Sequence, residues 1–393
     1  MGRFHQGARV TESAMYEYQK TGRFFAQISD DLKDAGACEL IELGATDVTA
    51  GYSGVYFSAD REALYRINYA ARLASRILAP IVTFSCRSTE QLYKKARRVD
   101  WTDFFSVENT FAVFGNVSKS SINNSHYASL CLKDAIVDSF RETSGRRPDV
   151  DKIRPDVWLN LHVNRDKATI SLDTSGGALH RRGYREEALA APMQETVAAA
   201  IIRYAGWDGS VPLYDPMCGS GTLLCEALMH YCRIPSGVFR KRFGFEFLPD
   251  FDETTWRRTR SELDSRIREL PHGYIFGSDL SARAVEISRM NTCKLRHGER
   301  IGLRVLDFRE SEGLEDGVII TNPPYGIRMG KREELGRLYK SLGDFLKKRC
   351  KGSAAYIYFG ERELIKQLGL RPKWKKPLKT GGLDGRLVKY ELF

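Results

Sequence analysis

Val211-Pro212-Leu213-Tyr214-Asp215-Pro216-Met217-Cys218-Gly219-Ser220-Gly221-Thr222-Leu223-Leu224-Cys225 is the stretch that decides the fold of the second half of this chain. An apolar run ends in an acid, two glycines follow within six residues, and TLLCEALMHYC then spaces its apolar residues as a helix does. Strand, tight turn and helix are expected in that order. Glycines at such a turn let the backbone close up on a ligand at the carboxyl edge of a parallel sheet. The same rhythm continues downstream: YIFGSD (274–279), LRVLD (303–307) and GVIIT (317–321) read as strands separated by helical stretches, the pattern of a doubly wound sheet. A final pair, AAYIYF (354–359) and RLVKYELF (386–393), lies across a basic loop. Upstream, PMQETVAAAIIRYAG is expected as a helix opened by Pro192 and closed by Gly206. An insertion at 233–270 separates the first strand's helix from the second strand.

The first ~165 residues have another pattern. RFFAQIS, CELIEL and GVYFSAD read as strands and DDLKDAG as a helix; REALYRINYAARLASRI places Leu64, Ile67, Ala71, Ala74 and Leu78 at helical spacing. IVTFSC and TFAVFGNVS read as strands around a helix that Ser88 would cap. HYASLCLKDAIVDSFRET follows as a helix, and VWLNLHV and ATISLDTS alternate like a hairpin. An α+β region with helices on an antiparallel sheet is expected, joined through the Gly-rich bridge SGGALHRRGYREEA to the α/β half.

The glycine turn restricts the ligand. It carries no GK[ST], which excludes a P-loop, and Leu224 stands where GxGxxG needs its third glycine. Asp279 lies 58 positions beyond Gly221, far from the ~20 of a dinucleotide site. Asp215 would repel a pyrophosphate and suits a cationic ligand, such as the amine and sulfonium of S-adenosylmethionine (SAM). Asp279 can accept both ribose hydroxyls, and Asp307 stands where a third strand would meet an adenine amine. One aspartate at a strand end is commonly a turn residue; three at successive strand ends make a stronger pattern.

Asn322-Pro323-Pro324-Tyr325-Gly326 follows the fourth strand. The prolines fix the backbone, so the Asn322 amide oxygen and the Pro323 carbonyl become preset acceptors for the two hydrogens of an exocyclic NH₂. Held out of the ring plane, the nitrogen lone pair is freed to attack an electrophilic methyl. Tyr325 offers a stacking face for a flipped base.

The chain has 393 residues, a mass of 44.6 kDa, 42% hydrophobic residues and mean hydropathy −0.38, which bounds it to two or three domains. It has no apolar run near the ~18 residues of a membrane span and no secretory signal at its start; a cytoplasmic location is expected. Eight cysteines stand at least seven positions apart without a CxxC, so neither a metal site nor a disulfide framework is read. Cys218, Cys225 and Cys232 read as core residues, and the dispersed His126, His162 and His180 carry no catalytic expectation. The net charge is +11, and residues 326–380 hold sixteen Lys/Arg against five Asp/Glu, an excess equal to that total. Such a face attracts polyanions, nucleic acid first.

DPMCGSGT, GSDLSARA, the Asp307 strand end and TNPPYGIR, in this order, resemble class I methyltransferases that modify exocyclic amines. WLNLHV, ATISLDTSG and RRGYREEALAAPMQETVAAA resemble more narrowly the bacterial large-subunit rRNA guanine-2-amino methyltransferases, from about Thr21 to the C-terminus. The resemblance implies a Rossmann-like seven-stranded methyltransferase domain (176–393), preceded by an N-terminal extension (1–21), a ferredoxin-like segment (22–65) and a THUMP RNA-binding domain (66–175). It also implies SAM as cofactor, held by Asp215 to Thr222 (including Pro216, Met217, Cys218, Gly219, Ser220 and Gly221), by Asp279 with Leu280, by Asp307 with Phe308, and by Asn322. Catalysis falls to Asn322, Pro323, Pro324 and Tyr325, with no metal. The implied product is N2-methylguanosine in 23S rRNA, free or in an assembly particle. Some relatives continue into a domain that makes 7-methylguanosine; with no such segment in this sequence, that activity is not expected. A tRNA guanine methyltransferase and a non-catalytic ribosome assembly factor remain alternatives, and a DNA adenine methyltransferase stands behind them. Phe239-Arg240-Lys241-Arg242-Phe243 is either an RNA contact or an ordinary amphipathic element. Every proposed pocket residue lies within 177–393, so that fragment is expected to bind SAM by itself, with 22–165 selecting the RNA.

Overall fold

The computed structural model describes residues 15–187, 193–325, 332–379 and 383–393. Pro192 and Gly326, singled out above, lie outside the described residues. The chain divides into two compact units, 1–25 with 78–173 and 26–77 with 174–393. The divisions fall inside strands Arg23–Gln27 and Arg76–Ser85.

In the first unit, strands Arg76–Ser85, Lys167–Asp173, Val157–Asn164 and Phe111–Ser118 lie side by side in that order. The first three are mutually antiparallel. The last pair is parallel, in register from Phe111↔Val157 to Ser118↔Asn164, which corrects the expected antiparallel sheet. Helix Ser125–Ser144 joins those two strands, and a crossover of that size returns the chain in the same direction. Ser88 does cap helix Thr89–Ala96, accepting the Gln91 N–H at 3.3 Å.

Two local expectations in residues 26–77 also give way. Cys38–Glu42, read as a strand, is the second half of helix Lys33–Glu42; Ala35, Gly36, Glu39 and Leu40 are its buried positions, a helical spacing. The helix expected over 61–77 ends at Ala70. Beyond it the Arg72 and Leu73 N–H groups donate to the Glu39 carboxylate at 2.9–3.1 Å rather than to helix carbonyls. Ala71, Ala74 and Leu78 are buried all the same.

The rest of the second unit is built on β1 (Leu213–Asp215), β2 (Ile275–Asp279), β3 (Gly302–Val305), β4 (Val318–Thr321), β5 (Ala354–Phe359), β6 (Trp374–Pro377) and β7 (Arg386–Glu391). Their order is β3-β2-β1-β4-β5-β7-β6. The first five are parallel, and β7 runs antiparallel to both neighbours. β6 falls within what was read as a basic loop. Helices α1 (Glu195–Ala205), α2 (Thr222–Cys232), α3 (Glu253–Ser265), α4 (Ala282–Cys293) and α5 (Arg332–Arg349) accompany the sheet and its insertion. Gly206 ends α1 in the left-handed conformation, φ 63°. Tyr339, Leu342 and Leu346 of α5 share a buried cluster with Ile319, Ile357 and Val388 of the sheet.

Except for Phe239, which is 39% exposed, the insertion's aromatics turn inward. Phe243 stacks on Phe245 at 5.1 Å, and Trp256 meets Tyr69 at 5.4 Å and Phe245 at 5.1 Å. Arg240 donates to the carbonyls of Ser175 and Ala178, and Arg242 lies 4.3 Å over the Phe247 ring. Of the two readings of 239–243, Phe243, Arg240 and Arg242 follow the structural one. The segment joins residues 65–69 to the rest of the unit.

Candidate active site

The reversal of strand order beside β1 puts the ends of β1, β2 and β4 on one edge, and the glycine turn leads from β1 into α2 there. Gly219 (φ 54°) and Gly221 (φ 78°) both adopt the left-handed conformation, which glycine enters without steric cost. A Cβ on Gly221 would also lie 2.4 Å from Ser288 Oγ and 3.3 Å from Ser288 Cα, so α4 seals the turn from behind. The Cys218 N–H donates to Ser278 O of β2 at 2.9 Å and the Gly221 N–H to Cys218 O at 2.8 Å. The turn is rigid before any ligand arrives.

Asp215 is 1% exposed. Its Oδ1 accepts the Met217 N–H at 3.1 Å and the Thr321 hydroxyl at 2.8 Å, yet burial outweighs both bonds and pushes its pKa up to about 7. A buried carboxyl so placed gains its charge most readily beside a cation. Asp279 ends β2: Oδ2 accepts the Gly219 N–H at 3.0 Å and Oδ1 the Ser281 N–H at 2.9 Å. Each carboxylate oxygen keeps a second lone pair. Leu280 beside it is 69% exposed, an apolar side chain at the sheet edge.

Asp307 stands two residues beyond β3 and is held by Arg309, whose Nε lies 2.9 Å from both oxygens; that guanidinium keeps its carboxyl below the usual range. Phe308 is 4% exposed and packs edge-on against Phe345 of α5 at 5.6 Å. Its side chain therefore belongs to the core beneath the edge.

Asn322 follows β4. Its Oδ1 is buried and has no hydrogen-bond partner among the described residues, a cost of about 1–3 kcal/mol that a ligand's N–H groups would relieve. The Tyr339 hydroxyl donates to Pro324 O at 3.3 Å, fastening the diproline turn to α5. Tyr325 lies over Gly360, where a Cβ would meet its ring at 2.4–2.6 Å, and edge-on to Tyr358 at 6.1 Å.

The structure thus brings Gly219 and Asp279 into a direct hydrogen bond and Gly221 onto Cys218 O, while Asp215 bonds Met217 and Thr321, the neighbour of Asn322, and Thr222 bonds Arg185. Several supporting residues escaped the sequence reading. Thr321 had a signal, as the residue before the NPPY turn. Ser288, Gly360, Tyr339 and Asn291, whose Nδ2 donates to Ser220 O at 2.9 Å, had none. Nor did Arg185, which donates to Thr222 Oγ1 at 3.2 Å and to Glu195 at 2.9 Å. Among the described residues no group of three His, Cys, Asp or Glu side chains is placed to hold a metal.

A 3-2-1-4-5-7-6 sheet with a glycine turn after β1, an acid at the end of β2 and Asn-Pro-Pro-Tyr after β4 defines a class I methyltransferase, and SAM is the methyl donor of that class. The RMKL-like methyltransferase domain matches residues 182–389, the THUMP domain 86–173 and the RlmL ferredoxin-like domain 23–78. The chain belongs to the RMKL-like methyltransferase family. A Synechocystis protein carrying an RNA methyltransferase name is 38% identical over 95% of this chain and 97% of its own length. The ribosomal RNA large subunit methyltransferase K/L of Photobacterium profundum is 39% identical over 94% of this chain, which spans 52% of it. This chain covers about half the length of the K/L relatives it matches. Among solved structures, SMU.472, described as a methyltransferase and crystallised with SAH, superposes with a TM-score of 0.83 at 28% identity, over 94% of this chain and 98% of that one.

Proposed function

We propose that the protein transfers the methyl group of SAM to the exocyclic 2-amino group of a guanine in large-subunit rRNA, giving N2-methylguanosine. The buried Oδ1 of Asn322, without a hydrogen-bond partner among the described residues, carries this reading, because a base amine offers the hydrogens that atom lacks. The glycine turn that excludes a Cβ, the buried Asp215 suited to a cation and the spare lone pairs of Asp279 fit SAM. When bound, SAM supplies an electrophilic methyl group.

The chain's own residues do the rest. Of the residues that would hold SAM, Asp215 would face its cationic tail, Asp279 would accept ribose hydroxyls while steadying Gly219, and Leu280 and Asp307 would lie toward its adenine. Asn322 Oδ1 and the Pro323 carbonyl draw the guanine N–H hydrogens out of plane, which localises the lone pair on nitrogen. Tyr325 stacks on the extruded base. No strong base is needed, since the product ammonium is acidic enough to lose its proton to water.

We assign RNA selection to residues 66–175 and methyl transfer to 176–393, in the cytoplasm. The RNA names of the relatives and the THUMP match support that division; no helix among the described residues is long and apolar enough to cross a membrane. The test is mass spectrometry of nuclease fragments of rRNA and tRNA from a deletion strain. One N2-methylguanosine should vanish from large-subunit rRNA and return with the wild-type gene but not with Asn322→Ala. Loss confined to tRNA, or no loss at all, overturns the assignment.

A further inference from the structure

Several basic residues of 332–379 are already engaged. Lys373 pairs with Glu391 at 3.2 Å, and Lys376 sits 4.9 Å over the Tyr204 ring. The last-turn cations of α5, Lys347, Lys348 and Arg349, lie where they offset the helix dipole. A different arrangement stands in the first unit. A groove of about 540 Å³ is lined by Arg87, Lys94, Lys95, Arg98 and Arg165, with Asp166 its sole acid. Every residue lining it is polar or charged.

That acid is already committed. Asp166 accepts the Ser121 N–H at 2.7 Å, the Ser120 hydroxyl at 2.8 Å and the Ser121 hydroxyl at 3.1 Å, and these bonds hold its carboxyl below the usual range. Its nearest cation here, Arg87, is 3.9 Å away. The side chains of Lys94, Lys95, Arg98 and Arg165 have no ion pair or hydrogen bond among the described residues. Asp166 instead pins the hairpin tip to Ser120 and Ser121. Arg165 and Asp166 both hold the left-handed conformation there (φ 50° and 57°) without a glycine, which fixes the backbone that carries Arg165 on the groove.

We propose that this groove binds the phosphodiester backbone of the RNA substrate. The proposal rests on the RNA reading above. An acidic protein partner fits less well, because the energetic anchors of protein interfaces include Trp and Tyr beside Arg and the groove lining has no aromatic residue. Backbone contacts to nucleic acid use what is present, several lysines and arginines without carboxylate partners.

The experiment uses the full chain, wild type, Lys94→Gln/Lys95→Gln/Arg98→Gln and Arg87→Gln/Arg165→Gln, in filter-binding titrations on large-subunit rRNA between 50 and 200 mM salt. Each lost phosphate contact removes roughly 0.7–0.9 units from the slope of log K against log salt, so the triple variant should be shallower by about two to three units. Its KM for RNA should rise, with kcat, SAM affinity and melting temperature unmoved. Wild-type slopes and RNA affinities in both variants overturn the groove and leave the RNA reading standing. RNA binding retained while polyglutamate binding is lost overturns the choice of occupant. A wild-type chain that binds no RNA overturns the RNA reading itself, and the groove's assignment with it.

Discussion

The two ends of α2 face different tasks. At its N-terminal end lie Gly219, Gly221 and Thr222, open to a ligand and held by Asp279 and Ser288. One turn further in, Glu226 is 1% exposed and its Oε1 accepts from Arg182 Nε at 3.3 Å and the Tyr184 hydroxyl at 3.2 Å. Arg182, also 1% exposed, donates to Leu179 O at 2.7 Å and Arg72 O at 2.6 Å. Arg72 in turn donates to Met229 O and Ile234 O, both at 2.7 Å, at the C-terminal end of α2. The first end carries the glycine turn. The second ties the helix to residues 39–72, which cluster in one compact unit with 174–393.

The largest effect should come from breaking the second end. Arg182→Met leaves the buried Glu226 with only the Tyr184 hydroxyl at 3.2 Å and the more distant Arg72 guanidinium at 3.9 Å, and removing one partner of a buried pair costs about 3–5 kcal/mol. Urea denaturation should show a loss of that order, with SAM affinity near normal in whatever fraction remains folded. The fragment 177–393, which the sequence alone made a candidate for independent SAM binding, lacks Arg72, Tyr65 and Tyr69. It should fail to fold, whereas residues 26–77 expressed together with 174–393 should restore SAM binding. A stable, SAM-binding 177–393 would show that the two ends of α2 are independent.

That outcome bears on what a sequence displays. The positions of Asp215, Gly219, Gly221, Asp279 and Asn322 were legible because each is written locally, at a strand end beside its own turn. Ser88 was legible for the same reason. The buried network was not: the Glu39 partners lie 33 and 34 residues away and the Arg182–Glu226 pair spans 44, and nothing in RRGYRE or ACELIE distinguishes a buried charge from a solvated one. Cys38–Glu42 looked like a strand because its buried glutamate reads as a polar break. β6 was missed because four residues with two lysines at a sheet edge carry almost no strand signal.

At the ligand end the effect is kinetic. Asn322→Ala removes an acceptor that acts on the nucleophile, comparable to losing a preorganised group worth about 10²–10³ in turnover. Single-turnover methyl transfer should fall by that factor while calorimetry shows unaltered SAM affinity. A matching loss of SAM affinity would place Asn322 with the cofactor turn instead.

Asp215 links the ligand end to pH. Its folded pKa of about 7 is raised from 3.8 by burial. The stability of the protonated form is therefore complete below about pH 4, is lost progressively as pH rises towards 7, and is flat above. Asp215→Asn should abolish that slope in apo-protein melting curves. A cationic tail favours the carboxylate, so SAM affinity should rise up to about tenfold from pH 6 to 8 and level off beyond. Affinity independent of pH in the wild type would separate Asp215 from the cationic tail.

The smallest effect concerns the floor under Tyr325. Gly360 does not have a positive φ, so its backbone would accept alanine; the conflict is with the Tyr325 ring, whose Cγ, Cδ2 and Cε2 lie within 2.4–2.6 Å of the added Cβ. These atoms are close to the Tyr325 main chain, so the ring must rotate as a whole and leave the position where it meets a base. Gly360→Ala should therefore lower kcat several-fold, well under the ~10²-fold that a 1 Å misplacement can cost, because a tyrosine ring can reorient. SAM affinity should hold, since Gly360 touches none of the residues around the glycine turn. The double variant separates positioning from general overpacking: if Gly360 acts only through Tyr325, then in a Tyr325→Ala background Gly360→Ala should change kcat no further. An additive loss there would mean that the glycine serves β5 and not the aromatic face of the site.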